Sequence, residues 1–194
     1  MHGAWVRRSS MLLMVIAVMA TVSLTTALAR SSSPPATCAN RSIIGPATFH
    51  TQYSVVVGPL SFPVMLAYAP AAALENRTPA PWMKSPVLLR AGHTVTIQII
   101  GDARRSTGFV GFGGHGGTTL ADSRGTVTFT ACGRDQSSGS SVGPGQPVTF
   151  WAGGFAAPPA AVCVPLDFYV DHSRVAHRVV ISLAAGACTS PGPG

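Results

Sequence analysis

Val162-Cys163-Val164-Pro165-Leu166-Asp167-Phe168-Tyr169-Val170-Asp171 is the stretch on which the fold turns. Val162, Val164, Leu166, Phe168 and Val170 fall on one face, and Cys163, Pro165, Asp167, Tyr169 and Asp171 on the other. That two-residue period is the mark of a half-buried strand. Pro165 cannot donate to a ladder, so an edge position or a bulge is expected there.

The same alternation spreads outward from this segment. Val95-Thr96-Ile97-Gln98-Ile99 places its aliphatic residues on alternate positions, and Gly125-Thr126-Val127-Thr128-Phe129-Thr130-Ala131-Cys132 turns Val127 and Phe129 inward with threonines outward. His177, Val179, Ile181 and Leu183 make a last alternating run. Residues 49–57, 86–90, 109–112 and 148–155 complete about seven to nine strands separated by Gly, Pro and Ser clusters. The fold class expected is all-β, an immunoglobulin-like antiparallel β-sandwich. One short helix is conceivable at 68–76, but Pro70 and Pro79 limit it to about two turns.

Upstream, the chain carries an export address. Arg7-Arg8 lead into an apolar stretch from Met11 to Ala29 that ends in Ala27-Leu28-Ala29. A positive n-region, an apolar h-region and an Ala-x-Ala site describe a secretory signal peptide over residues 1–29. The competing reading is an uncleaved signal anchor, because the stretch is long enough to span a bilayer. Thr21, Ser23, Thr25 and Thr26 favour cleavage. Pro35-Ala36-Thr37 before Cys38 argues against a lipoprotein, and Ser9-Ser10 after the arginine pair argues against twin-arginine export. Residues 30–37 read as a Ser/Pro-rich spacer, 38–188 as a single sandwich domain of a size that buries a real core, and 189–194 as a flexible tail.

The chain has 13 Lys and Arg against 6 Asp and Glu, a net charge of +7. Beyond the signal only Arg104-Arg105 are adjacent, without the basic stripe and interleaved aromatics that nucleic-acid binding requires, so no nucleic-acid partner is expected. Such scattered charge reads as ordinary solubility, the alternative being a mild affinity for anionic envelope polymers. A membrane is implied only through residues 1–29, if they stay attached.

Cys38, Cys132, Cys163 and Cys188 form an even set in an exported chain, which predicts two disulfides. No Cys-x-x-Cys or Cys/His pair stands at ligand spacing, so zinc is not expected. Of three connectivities the sequence favours Cys132–Cys163, joining neighbouring strands, and Cys38–Cys188, stapling the two ends of the domain.

Two strings imitate catalytic motifs. Gly139-Ser140-Ser141-Val142-Gly143 matches a nucleophile elbow, but lies in the Ser/Gly loop 133–145 with Pro144 and Pro147 behind it where a helix is needed. Gly111-Phe112-Gly113-Gly114-His115-Gly116 matches a dinucleotide fingerprint, but Thr118-Thr119 follow in place of a helix. Both read as loops, and no catalytic residue and no cofactor are expected. His50, His93, His115, His172 and His177 include no pair at ligand spacing on one element. A surface metal site from His115, His172 and Asp171 is nonetheless conceivable if loops converge. Asp167 and Asp171 lie about 13 Å apart along a strand, too far to act as a catalytic pair. Trp82, Trp151, Phe112 and Tyr169 could line a carbohydrate or peptide groove, although aromatic residues in a sandwich usually belong to the core.

Phe129-Thr130-Ala131-Cys132-Gly133, Val148-Thr149-Phe150-Trp151-Ala152-Gly153-Gly154-Phe155, Cys163-Val164-Pro165-Leu166 and Ala185-Gly186-Ala187-Cys188 resemble a pattern in uncharacterised secreted or membrane-anchored actinobacterial proteins. The resemblance covers about the C-terminal third. It implies a cysteine framework and an extracytoplasmic location, and it transfers no catalytic residue. Twelve Arg against one Lys, with abundant Ala, Gly and Pro, accords with a GC-rich bacterial genome and weakens Asn40-Arg41-Ser42 and Asn76-Arg77-Thr78 as glycan sites. The function expected is that of an exported, non-catalytic interaction module meeting an extracellular or envelope partner through the loops 111–117 and 133–145. The rival is a histidine-based metal-binding protein or metalloenzyme of the envelope.

Overall fold

A computed structural model describes residues 35–42, 54–63, 82–114, 117–136, 147–158, 162–183 and 188. The export address, the helix candidate at 68–76, Ser141, His50, His115 and the tail 189–194 lie outside the described residues.

Eleven strands occur among the described residues: β1 (Ser54–Val57), β2 (Leu60–Pro63), β3 (Trp82–Lys84), β4 (Val87–Arg90), β5 (Thr94–Ile99), β6 (Gly108–Val110), β7 (Thr126–Thr130), β8 (Val148–Trp151), β9 (Gly154–Ala156), β10 (Cys163–Val170) and β11 (His177–Ser182). Two four-stranded sheets, ordered β1-β2-β4-β8 and β11-β10-β5-β7, are joined by a three-stranded sheet, β3-β9-β6. The strand pairings are antiparallel, as expected of a sandwich built from half-buried alternating strands.

The alternation sets what is buried. Val95, Ile97 and Ile99 of β5, Val127 and Phe129 of β7, and Val164, Leu166 and Phe168 of β10 all enter one core with Leu60, Phe62, Leu89 and Trp151 of the facing sheet. The third sheet adds Met83, Phe109 and Phe155. Six rings run through this core in contact: Phe62 meets Phe155, Phe155 meets Phe109, then Phe112, Phe129 and Trp151 follow, with centroids 5.1–6.3 Å apart. Edge-on and tilted ring pairs of this kind stabilise beyond their buried area. Phe112 and Trp151 are therefore core residues and line no groove.

Strand counts exceed expectation because some runs break where the chain changes sheet. Residues 148–155, expected as one strand, divide at Ala152-Gly153 into β8 and β9. Gly154 approaches β3 so closely that a Cβ there would lie 1.8 Å from the Met83 carbonyl oxygen, and one on Gly153 would lie 2.4 Å from the Phe112 ring. Pro165 sits on an interior strand, not an edge. Its carbonyl accepts from the Ile100 amide (3.0 Å), and its donorless nitrogen falls where the β5 ladder, ending at the Leu166–Ile99 pair, has run out.

Both expected disulfide pairings are corrected. The structure pairs Cys38 with Cys132 (Cα–Cα 4.8 Å) and Cys163 with Cys188 (Cα–Cα 5.1 Å). Cys132–Cys163 fails because β5 lies between β7 and β10, and because the two residues leave their sheet at opposite ends. Cys132 follows Thr130, which faces Thr94, whereas Cys163 opposes Ser182 beyond the far end of β5. Cys188 consequently meets Cys163 six residues after β11 ends, and Cys38 is left to close on the β7 exit.

Candidate functional site

Residues 35–42 form a strap across the gap between the free edges of β7 and β8. Ala36, fully buried, bridges to Phe129: its amide donates to the Thr128 carbonyl (2.9 Å), and the Thr130 amide donates to the Ala36 carbonyl (2.8 Å). On the other side the Trp151 indole donates to the Thr37 carbonyl (3.1 Å), the Ser42 amide to the Phe150 carbonyl (2.9 Å), and the Ala152 amide to Ser42 Oγ (3.0 Å). Covering exposed strand edges is a standard defence against unwanted pairing. Ala36 and Thr37, at the end of the expected spacer, are thus built into the domain, whose compact unit begins at Pro35.

The strap also gathers loops. Asn40 donates its side-chain amide to the Pro35 carbonyl (3.0 Å) and the Gly113 carbonyl (3.1 Å), while its Oδ1 accepts from the Thr37 amide (2.7 Å). An amide committed this way is a structural bolt, which accords with the weak reading of its sequon. The Cys38–Cys132 bond holds the residues 133–136 beside the strap, and a depression of about 620 Å³ opens there between Cys38, Ala39, Arg41, Asp135 and Gln136. The described parts of both glycine-rich loops therefore meet on one segment.

A second feature lies at the same end of the β11-β10-β5-β7 sheet. The Ala131 amide donates to the His93 carbonyl (2.9 Å) and the Gly92 amide to the Cys132 carbonyl (3.1 Å), so the β7 exit adjoins the β5 entry. His93 in turn meets the turn after β10: its Nδ1 lies 2.8 Å from Asp171 Oδ2. Asp171 Oδ1 accepts from the Thr94 amide (3.0 Å). That backbone bond, opposed by partial burial and aided by His93 and His172, lowers the Asp171 pKa below the usual carboxylate value.

Asp171 and His172 themselves have φ of 48° and 62°, the only non-glycine positive values among the described residues. The Ser173 amide closes the turn on the Val170 carbonyl (2.9 Å). Two successive positive φ values make the primed turn that fits strand twist, ordinarily built with Asn-Gly or Asp-Gly. Here the Asp171 carboxylate pins the turn to β5 and keeps a histidine where glycine is preferred. Next to it a depression of about 490 Å³ is lined by Thr94, Thr96, Tyr169, His172, Ser173 and Arg174.

Other singled-out residues stand elsewhere. Asp167 is 5% exposed and receives a two-pronged bond from Arg178 across the β10–β11 pair, Nε to Oδ1 at 2.8 Å and Nη2 to Oδ2 at 3.1 Å. The Arg178 hydrogen bond lowers the Asp167 pKa against the opposing effect of burial, and Arg178 is raised by the same contact. Asp171 and His172 are brought together but His115 lies outside the described residues, and both Asp171 oxygens are already engaged. Among the described residues no three His, Cys, Asp or Glu side chains gather as metal ligands would. Of the four aromatic residues considered for a groove, Tyr169 lines a depression. His93 was not tied to Asp171 by any sequence signal, since the pair is 78 positions apart.

Two disulfides place the domain in an oxidising, extracytoplasmic setting. Among the described residues no helix is long and apolar enough to cross a membrane. The chain matches no family model, no curated protein and no solved structure.

Proposed function

We propose that the chain is an exported, non-catalytic interaction module of the cell envelope or extracellular space, of immunoglobulin-like design, with the strap and its two adjoining loops as its working surface. The carrying observation is that Asn40 and the Cys38–Cys132 bond hold the described starts of both loops, 111–114 and 133–136, on one clamped segment. Loops fixed on a rigid sandwich lose little entropy on binding, which is the advantage of a preorganised surface. The loose resemblance to actinobacterial secreted or anchored proteins supports the same setting.

Two measurements test this reading. The intact mass of protein from culture supernatant and washed membranes, with and without reduction, is expected to show a species beginning at Arg30 with four thiols released only by reduction. An unprocessed membrane species would instead make residues 11–29 an anchor and the domain a tethered ectodomain. Labelled protein is then applied to envelopes of the producing cells. Replacing Arg41, Asp135 and Gln136 by alanine is expected to abolish retention, and unchanged retention would remove the strap surface from the argument.

A further inference from the structure

We propose that the depression beside the Asp171-His172 turn is a binding site for an acidic saccharide. Tyr169 would take the apolar face of a sugar ring, Thr94 and Thr96 its hydroxyls, and Arg174 with His172 its carboxylate or phosphate. No lining residue is shared with the strap depression, so the site stands or falls independently of the strap surface.

The geometry of the face carries the argument. Thr96 lies directly opposite Tyr169 in the β5–β10 register, so a hydroxyl flanks the ring on the same outward face. Thr96 Oγ1 is bonded to Thr128 Oγ1 on β7 (2.9 Å), and Thr94 faces Thr130. The depression therefore opens onto a hydroxyl-bearing sheet face. From Thr94 to Gln98 this surface runs about 14 Å at the rise of an extended strand, room for a short oligosaccharide. An aromatic ring beside threonine side chains, with no aliphatic side chain in the lining, suits a sugar better than an apolar ligand.

Charge selects the acidic class. The ion pairs among the described residues engage His93 with Asp171, Arg105 with Asp102 and Arg178 with Asp167, none of which uses Arg174. Asp171, the acid of the turn, is turned to β5 by the Thr94 amide and His93 and does not line the depression. A guanidinium beside hydroxyls and an aromatic ring is the arrangement that receives a carboxylate or phosphate through paired N–H donors. The positive φ at His172 supports the same assignment: a side chain held in a conformation that favours glycine is kept for what it does.

Titration of the oxidised protein by NMR or calorimetry tests the site with three probes: trigalacturonate, glucose 6-phosphate and uncharged cellotriose. Trigalacturonate or the phosphate is expected to bind at least tenfold more tightly than cellotriose, the preferred acid identifying which anionic group the site takes. Tyr169→Ala and Arg174→Ala are each expected to weaken that binding tenfold or more, with Arg174→Lys recovering part of it. Arg174 is exposed, so its variant folds whether or not Tyr169→Ala does. His172→Gly supplies a readout that a structural role would not give: weaker binding in a protein no less stable. Equal binding of cellotriose, no binding of either acid, or acid binding indifferent to Tyr169 and Arg174 would each overturn the proposal.

Discussion

Left-handed backbone at a non-glycine residue costs roughly 1–2 kcal/mol, and the structure places two such residues in succession at Asp171 and His172. Asp171 recovers part of that through its bonds to Thr94 and His93, whereas no bond to the His172 ring is seen among the described residues. His172→Gly should thus relieve strain, less the roughly 0.5–1 kcal/mol of extra chain entropy that glycine loses on folding. The expected outcome is a gain of up to about 1 kcal/mol, seen as a Tm higher by roughly 2–4 °C. A lower Tm would show that the imidazole makes a contact worth more than the strain. Asp167 offers a pH test. Its pKa is lowered in the folded state, first by the Arg178 hydrogen bond. Such a group contributes stability that is present above the unfolded carboxylate value of about 3.9 and is lost as pH falls through the lower folded value. Urea unfolding at pH 5 and pH 3 should therefore show wild type losing more stability than Asp167→Asn over that interval. Parallel losses in the two proteins would contradict the assignment.

Among the elements, the strap is the piece on which two sheet edges depend. Cys38 and Cys132 stand 94 positions apart and Cys163 and Cys188 stand 25 apart, so chain-entropy reasoning assigns the first bond more stability. The estimates are about 4–5 and about 3–4 kcal/mol respectively. Replacing Cys38 and Cys132 together by serine should cost more than replacing Cys163 and Cys188. It should also loosen the strap from β7, speeding hydrogen exchange at the Thr130 amide, which donates to Ala36. Bared β7 and β8 edges should then promote association, visible as a concentration-dependent sedimentation coefficient. Slow exchange at Thr130 in the serine variant would mean that backbone pairing alone secures the strap. The period-two runs of β5, β7, β10 and β11 were legible in the sequence because each buries one face. β3 was not, and β9 was read only as the tail of the 148–155 run, since both are three residues long and are defined by a close approach at Gly154 that leaves no local pattern. Disulfide pairing escaped for a related reason: it depends on strand order, and alternation reports which face a residue takes but not which strand lies beside it.

At the scale of the molecule, the same limit governs the candidate sites. Tyr169 and His172 stood out in the sequence, yet their grouping with Thr94 and Thr96 rests on β5 lying next to β10, a pairing between segments some seventy positions apart. Cooperativity follows from that topology as well. The core draws on all three sheets and on Ala36 of the strap, and the six-ring chain passes from β2 through β9 and β6 to β7 and β8. No sheet can leave without stripping partners from the other two, so the oxidised domain should unfold in one step. Far-ultraviolet circular dichroism and tryptophan fluorescence should give coincident thermal transitions, and the calorimetric and van't Hoff enthalpies should agree. Phe109 sits at the middle of the ring chain and is 1% exposed, with Phe155 and Phe112 on either side. Phe109→Ala should cost about 3–5 kcal/mol and move both transitions together to lower temperature. If fluorescence alone shifted, with the sheet signal left in place, the β3-β9-β6 sheet would be a separately melting appendage and the single-core account would fail.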